Sequence, residues 1–199
     1  MKGDGKTDQS TSLSLLERAR RREPAAWNRL VDLYRPLVLF WCRRGGILGP
    51  DAEDVSQEVF AGAAEGLVRF HRDQPGDTFR GWLRGITRNQ LILFHRKNQR
   101  RPRIQAGSDG WERLLEIPDP LEGTDDQEQT EVSQLYQRAL DLLRDDFEER
   151  TWQAFWMTVV DGRSPVDIAA DTGVSPAAVR MAKSRVLRRL KEEFGELIQ

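Results

Sequence analysis

The chain has 199 residues, with 31 Lys and Arg against 32 Asp and Glu and a net charge of -1. That length fits one or two small domains, and the balance excludes a uniformly basic coat protein. A single cysteine, Cys42, excludes an internal disulfide and a cysteine-cluster metal site within one chain. No apolar run is long enough to span a bilayer, and residues 1–12 do not read as a signal peptide. A soluble, cytoplasmic protein with no membrane insertion is expected.

Residues 1–12 are polar and are expected to be disordered. Helical patterning starts near Leu13. A second helix is expected from Pro24, with Trp27, Leu30, Val31, Tyr34, Val38 and Trp41 on one face. Cys42 beside Trp41 reads as a small core residue. Pro36 lies inside the pattern and predicts a kink or a break. Gly45, Gly46, Gly49 and Pro50 mark a loop, and a third helix is expected over residues 51–67.

The third helix carries DAEDVSQEVF at residues 51–60. Val55, Val59 and Ala63 share the core side. Asp54, Glu58, Ala61 and Glu65 share the opposite stripe, with Glu53 and Gln57 beside it. Acids on one face can be a solvated surface, a divalent-metal site or a face that meets a basic partner protein. The last reading is preferred. There is no Gly-rich phosphate loop and no nucleophile–base pair, and His71 and His95 stand far apart. No enzymatic activity and no cofactor are expected.

Residues 79–103 hold Arg80, Arg84, Arg88, Arg96, Lys97, Arg100, Arg101 and Arg103 and no acid. A long basic helix is expected over residues 79–99, with Phe79, Trp82, Leu83, Ile86, Leu93 and Phe94 on its apolar side. Cations hold phosphates, and aromatic side chains such as Phe79, Trp82 and His95 can serve as stacking platforms for single-stranded bases; some of these aromatics must also serve the core. Residues 103–130 lack periodicity, contain Pro118, Pro120, Gly107, Gly110 and Gly123 and are rich in acids. They read as a linker, with Trp111, Leu114, Leu115 and Ile117 as an apolar exception.

Helical pattern returns at Glu131 with Val132, Leu135, Ala139, Leu142 and Leu143, and continues with Trp152, Phe155, Trp156 and Val159 up to Gly162. Over residues 164–194, Ser164-Pro165 and Ser175-Pro176 are two helix-start signals separated by a turn at Gly173. The second of these helices buries Val179, Ala182, Val186 and Leu190. It exposes Arg180, Lys183, Arg185, Arg188, Arg189 and Lys191, with no acid between Pro176 and Lys191. This is a helix-turn-helix pattern, and a helix that enters the major groove needs cations on its exposed face.

The expected fold is all-α: two small helical domains joined by a flexible acidic linker, ending in a helix-turn-helix. The expected divisions are a tail at 1–12, a helical domain at 13–102, the linker at 103–130 and a second helical domain at 131–199.

The order Asp-Ala-Glu-Asp-Val-x-Gln-Glu-Val-Phe, then Phe-Arg-x-Trp-Leu-x-x-Ile-x-Arg-Asn, an acidic linker and a helix-turn-helix resembles a bacterial extracytoplasmic-function sigma factor of the sigma-70 family. The resemblance covers residues 13–197. It implies a region 2-like domain followed by a region 4-like domain, with core RNA polymerase and promoter DNA as partners and an anti-sigma factor as a further candidate. It assigns Asp51, Glu53, Asp54, Gln57, Glu58 and Phe60 to polymerase contact. It assigns Arg80, Trp82, Arg84, Arg88, Asn89, Arg96 and Lys97 to melting and reading the minus-ten element, with base capture in the loop over residues 71–78. Pro176, Ala177, Arg180, Lys183, Ser184 and Arg188 would read the minus-thirty-five element. Two places depart from the family's pattern. Residues 175–179 read Ser-Pro-Ala-Ala-Val where Ser-Glu-Gly-Thr-Val is common, and residues 73–77 read Asp-Gln-Pro-Gly-Asp in the base-capture loop. Two other readings fit parts of the chain: a helix-turn-helix regulator that does not bind core polymerase, and a metal-dependent nuclease using Glu53, Asp54 and Glu58.

Overall fold

A computed structural model describes residues 14–74, 76–99, 121 and 125–198. Among these residues the regular structure is entirely helical. Helix α1 (Leu15–Arg20) starts at a capping box. The Ser14 hydroxyl accepts from the Glu17 amide, and the Glu17 carboxylate accepts from the Ser14 amide. Helix α2 (Pro24–Arg44) opens with proline at its first turn, where no amide partner is needed. Helix α3 (Gly49–Gly66) likewise begins next to a proline and runs into a single 3-10 turn, Leu67–Arg69.

Pro36 does not break α2, which is continuous through it. Proline at this position leaves the carbonyl four residues earlier without its helical donor. That carbonyl belongs to Asp32, and Arg138 Nε from the far half of the chain donates to it at 3.0 Å. A tertiary hydrogen bond thus replaces the missing helical one.

Helix α4 (Phe79–Gln99) matches the expected basic helix. The Thr78 hydroxyl accepts from the Gly81 amide at 3.0 Å and satisfies one donor of its first turn. Helix α5 (Asp125–Leu143) begins inside the stretch read as linker. Its acidic first residues carry a helix because their polar face costs nothing in water while Leu135, Ala139 and Leu143 supply the buried stripe. A 3-10 turn, Arg144–Asp146, leads to helix α6 (Glu149–Val159). Helix α7 (Pro165–Thr172) is capped by Ser164 and ends at Gly173, whose φ of 71° is the left-handed turn that glycine provides. Helix α8 (Pro176–Phe194) is capped by Ser175.

One apolar core joins both halves. Leu30, Leu33, Tyr34, Leu37, Val38 and Trp41 of α2 meet residues of α1, α3 and α4 on one side. On the other they share a cluster with Leu135, Ala139 and Leu143 of α5 and with Phe194, Leu197 and Ile198 at the end of the chain. Leu121, within the expected linker, is also buried in this cluster. Full burial of each such side chain contributes about 1.5–3 kcal/mol. A second, small cluster of Ala154, Ile168, Val179 and Ala182 holds α6, α7 and α8 together, with Met157 and Val174 at its edge. Of the apolar linker exceptions, Trp111, Leu114, Leu115 and Ile117 lie outside the described residues.

Polar contacts follow the same seam. The Tyr34 hydroxyl donates to the Leu197 carbonyl, and Arg72 donates to the Glu196 carbonyl. Burial raises the Tyr34 pKa and keeps the phenol protonated as that donor. Arg29 pairs with the buried Glu193 and with Asp146 at 3.1 Å; Arg189 pairs with the same two acids at 2.6 and 3.4 Å. A buried carboxylate needs such partners to offset its desolvation.

Candidate nucleic-acid interface

Three surfaces carry the residues singled out from sequence. The first is α8. Its buried side is Val179, Ala182, Val186 and Leu190, and Ala177, Arg180, Lys183, Ser184 and Arg188 are exposed opposite them. Pro176 is half-buried at the helix entry. Arg180, Ser184 and Arg188 repeat every four residues, so they form one row about two turns long. A shallow groove along that row is lined by Arg180, Lys183, Ser184, Leu187, Arg188 and Lys191. Among the described residues, Arg188 has only a loose ion pair, with Glu192 at 3.8 Å, so its charge stays available to an external anion.

The second surface is the loop before α4 and the start of that helix. Arg69, Phe70, His71, Asp73, Gly76, Asp77, Thr78, Gly81 and Trp82 line a cleft of about 350 Å³. The Asp77 carboxylate shapes its rim by accepting from the Asp73 and Gln74 amides at 3.1 and 2.9 Å. Gly76, at φ 101°, makes a turn that a side chain would strain. Trp82 forms one wall. Its ring lies 4.9 Å from Phe70 and 5.4 Å from Phe79, and Phe79 meets Tyr34 edge-on at 5.0 Å. Phe79 is thus core, whereas Trp82 is half-buried and presents part of its ring to the cleft. Gly66 gives Trp82 its place: a Cβ there would stand 2.9 Å from the indole ring.

Further along α4 the candidate residues divide. Asn89, Arg96 and Lys97 are exposed. Arg84 and Arg88 are half-buried, and Arg80 is buried. Arg80 Nη1 donates to Glu131 at 2.8 Å, and Glu128 of α5 lies 3.8 Å from Arg80 and 3.7 Å from Arg84. Glu131 also accepts from Trp41 Nε1 at 2.7 Å. Sequence reasoning missed both glutamates as partners of the basic helix. Their signal was present as the unbroken acidic run opposite an unbroken basic one. Arg69 and Phe70, which line the cleft, were missed as well, because nothing in a short 3-10 turn marks them.

The third surface is the acidic side of α3. Asp51, Asp54, Gln57 and Glu58 are exposed, and Glu53 is half-buried against Arg35 at 2.6 Å. That hydrogen bond and charge raise the Arg35 pKa. Phe60 points inward, 7% exposed and edge-on to Trp27 at 6.5 Å; its visible role is packing. Among the described residues, no three His, Cys, Asp or Glu side chains converge as metal ligands would. No helix among them is long and apolar enough to cross a membrane.

Comparison with known proteins bears on most of the chain, and most specifically on α2, α3 and α4. The sigma-70 region 2 family model matches residues 30–101. The sigma factor SigD of Mycobacterium tuberculosis (strain CDC 1551 / Oshkosh), an extracytoplasmic-function protein, is 29% identical over 173 residues, 85% of this chain and 77% of that one. Residues 30–101 thus match the sigma-70 region 2 family, and the chain is similar over most of its length to extracytoplasmic-function sigma factors. SigE of Mycolicibacterium smegmatis, another member, is 30% identical over 172 residues, 86% of this chain and 62% of the relative. The sigma factor CarQ of Myxococcus xanthus is 27% identical over 184 residues, 92% and 97% of the two chains. Among solved structures, CnrH in complex with the cytosolic domain of CnrY is 22% identical and covers 89% of this chain and 92% of its own, with a TM-score of 0.37. This similarity to sigma factors supports a role in promoter-directed transcription.

Proposed function

We propose that this chain is a sigma factor that binds core RNA polymerase through the exposed acids of α3, holds the melted minus-ten strand with the cleft beside Trp82 and the cations of α4, and reads the minus-thirty-five duplex with α8. It acts by binding and has no chemistry of its own. The cell interior, where polymerase and promoter meet, is its place of action, and an anti-sigma factor is a candidate partner.

The observation that carries this reading is the cleft. At about 350 Å³ it is within the size range of small-molecule sites. An aromatic wall, the half-buried Trp82, offers a flipped base a stacking surface worth about 1–3 kcal/mol. Unstacking a base costs a few kcal/mol, so capture in the cleft offsets much of the cost of strand separation. Lys97, Arg96 and Asn89 lie further along the same helix and supply contacts to the phosphates and base edges of the released strand.

The row on α8 suits a duplex. Arg180 and Arg188 are long enough to reach base edges or phosphates, while Pro176 and Ala177 at the entry have no side-chain donors. Base readout therefore falls on Arg180, Lys183, Ser184 and Arg188, with Ala177 giving close approach.

The test uses holoenzyme assembled with core polymerase, on duplex promoters and on templates pre-melted at the minus-ten element. Arg180→Ala should lower affinity for the duplex and spare the pre-melted template that lacks upstream DNA. Arg96→Ala with Lys97→Ala should do the reverse. Each cation removed from a phosphate should reduce the salt slope by about one. Equal impairment on both templates would overturn the division of labour.

A further inference from the structure

We infer that helix α5 is an intramolecular inhibitor of the single-strand surface on α4: Glu128 and Glu131 occupy Arg80 and Arg84 where DNA phosphates would bind, and they must leave before that surface can act. This inference rests on the reading of α4 as a DNA surface.

Arg80, Arg84 and Arg88 recur at intervals of four, so they share one face of α4. Glu128 and Glu131 are three residues apart, one turn on the same side of α5. Their side chains bridge the two helices, with Arg80 2.8 Å from Glu131 and Arg84 3.7 Å from Glu128. A guanidinium engages carboxylate and phosphate with the same planar fork, so a carboxylate can hold the place of a phosphate. The sequence extends the imitation. From Leu114 to Gln137 the chain carries Glu116, Asp119, Glu122, Asp125, Asp126, Glu128 and Glu131 and no Lys or Arg.

The closed contact is held by groups outside the cationic row. Trp41 donates to Glu131 at 2.7 Å, and Arg138 donates to the carbonyl that Pro36 leaves free, at 3.0 Å. Leu121, Leu135 and Ala139 bury apolar surface in the same seam. Yet the pairing is imperfect: among the described residues, Arg80 Nε is buried with no hydrogen-bond partner. A buried guanidinium with an unmet donor is a cost to the closed state, and it favours exchange for a ligand that satisfies it better. Opening is a two-state equilibrium, and a partner that binds the open form shifts it. Core polymerase, which under the proposed function engages the chain before DNA is melted, is the partner of the right kind. The measured affinity of the free chain for DNA is then its intrinsic affinity reduced by the open fraction.

The experiment measures binding of the free full-length chain to a fluorescent 20-nucleotide single strand of mixed sequence at low salt. Glu128→Gln with Glu131→Gln should tighten binding by about 10-fold as the open fraction rises. Asp145→Asn with Glu148→Gln removes the same charge from exposed positions outside the seam and should change affinity by no more than about twofold. Arg138→Gln is the sharper variant. It removes a cation, which by charge alone weakens DNA binding, but it also removes the Asp32 hydrogen bond and should tighten binding instead. Hydrogen exchange of the α4 amides on the same variants separates the two ideas. Unchanged exchange and unchanged affinity in both variants overturn the inhibitory contact and leave the DNA-binding reading of α4 standing. Faster exchange with no gain in affinity overturns that reading, and the inhibitory role with it.

Discussion

Replacing Gly66 by alanine perturbs the cleft from behind. A Cβ at Gly66 would stand 2.9 Å from the Trp82 ring, against an ordinary contact of at least 3.4 Å. The indole must therefore retreat by about 0.5 Å, the difference between those distances. It has little room to do so, because Phe70 lies 4.9 Å and Phe79 5.4 Å from it on the other side. Overpacking of this kind costs about 1–3 kcal/mol. Against that, alanine improves helix propensity by at most about 1 kcal/mol, and less at the last residue of a helix. Overpacking wins, and a net loss of about 1 kcal/mol corresponds to a fall in Tm of about 2–4 °C for a chain of this size. The displaced indole should also impair opening of duplex promoters by holoenzyme more than use of pre-melted templates. Thermal unfolding followed by circular dichroism, with permanganate reactivity of the promoter, reads both effects. An unchanged or raised Tm, with normal opening, would refute the assigned position of Trp82.

Other outcomes follow from the same contacts. Asp54→Lys with Glu58→Lys should weaken core-polymerase binding in a pulldown and leave the helical spectrum intact, because both side chains are exposed and surface charges contribute little to stability. Phe155→Ala should cost about 3–5 kcal/mol in urea unfolding, since Phe155 is fully buried where α6 joins the core. Ser175→Ala removes the hydroxyl that accepts from the Ala178 amide and should cost about 1 kcal/mol, lowering duplex affinity by fraying the entry of α8. Burial pushes the Cys42 thiol from its ordinary 9.0 up to about 11, so the folded chain keeps a proton that the unfolded chain releases. Stability should fall as pH rises through that window by up to about 1.4 kcal/mol per unit, and Cys42→Ala should flatten the slope measured by urea unfolding.

The helices were legible wherever capping chemistry and periodicity agreed. Ser164-Pro165, Gly173 and Ser175-Pro176 fixed α7 and α8 because each acts within a single turn. Residues 79–99 were legible for the same reason: an apolar stripe and a basic stripe share one period. Pro36 offered a kink or a break, and the sequence did not show that α2 would continue through it, with Arg138 in the other half donating to the carbonyl it leaves free. The acidic start of α5 read as linker because its helix depends on a buried stripe that begins only at Leu135. The residue pairs that join the halves were not legible. The acidic run and the basic helix are complementary in charge, but Glu131 differs from other glutamates of that run only in meeting Trp41 and Arg80, and sequence does not tell which glutamate pairs with an arginine 51 residues away. Phe60 shows the converse limit, since a motif position can name a residue without telling whether it faces a partner or the core.

Under the proposed function, this chain brings core RNA polymerase to specific promoters. The most direct measurement is reconstitution of the purified chain with core polymerase, transcription of fragmented genomic DNA, and mapping of every start site. Starts are expected at a discrete set of positions, each preceded by shared minus-ten and minus-thirty-five sequences and each abolished by Arg180→Ala or by Asp54→Lys with Glu58→Lys. Start sites no different from those of core polymerase alone, with no association between the two proteins, would contradict it.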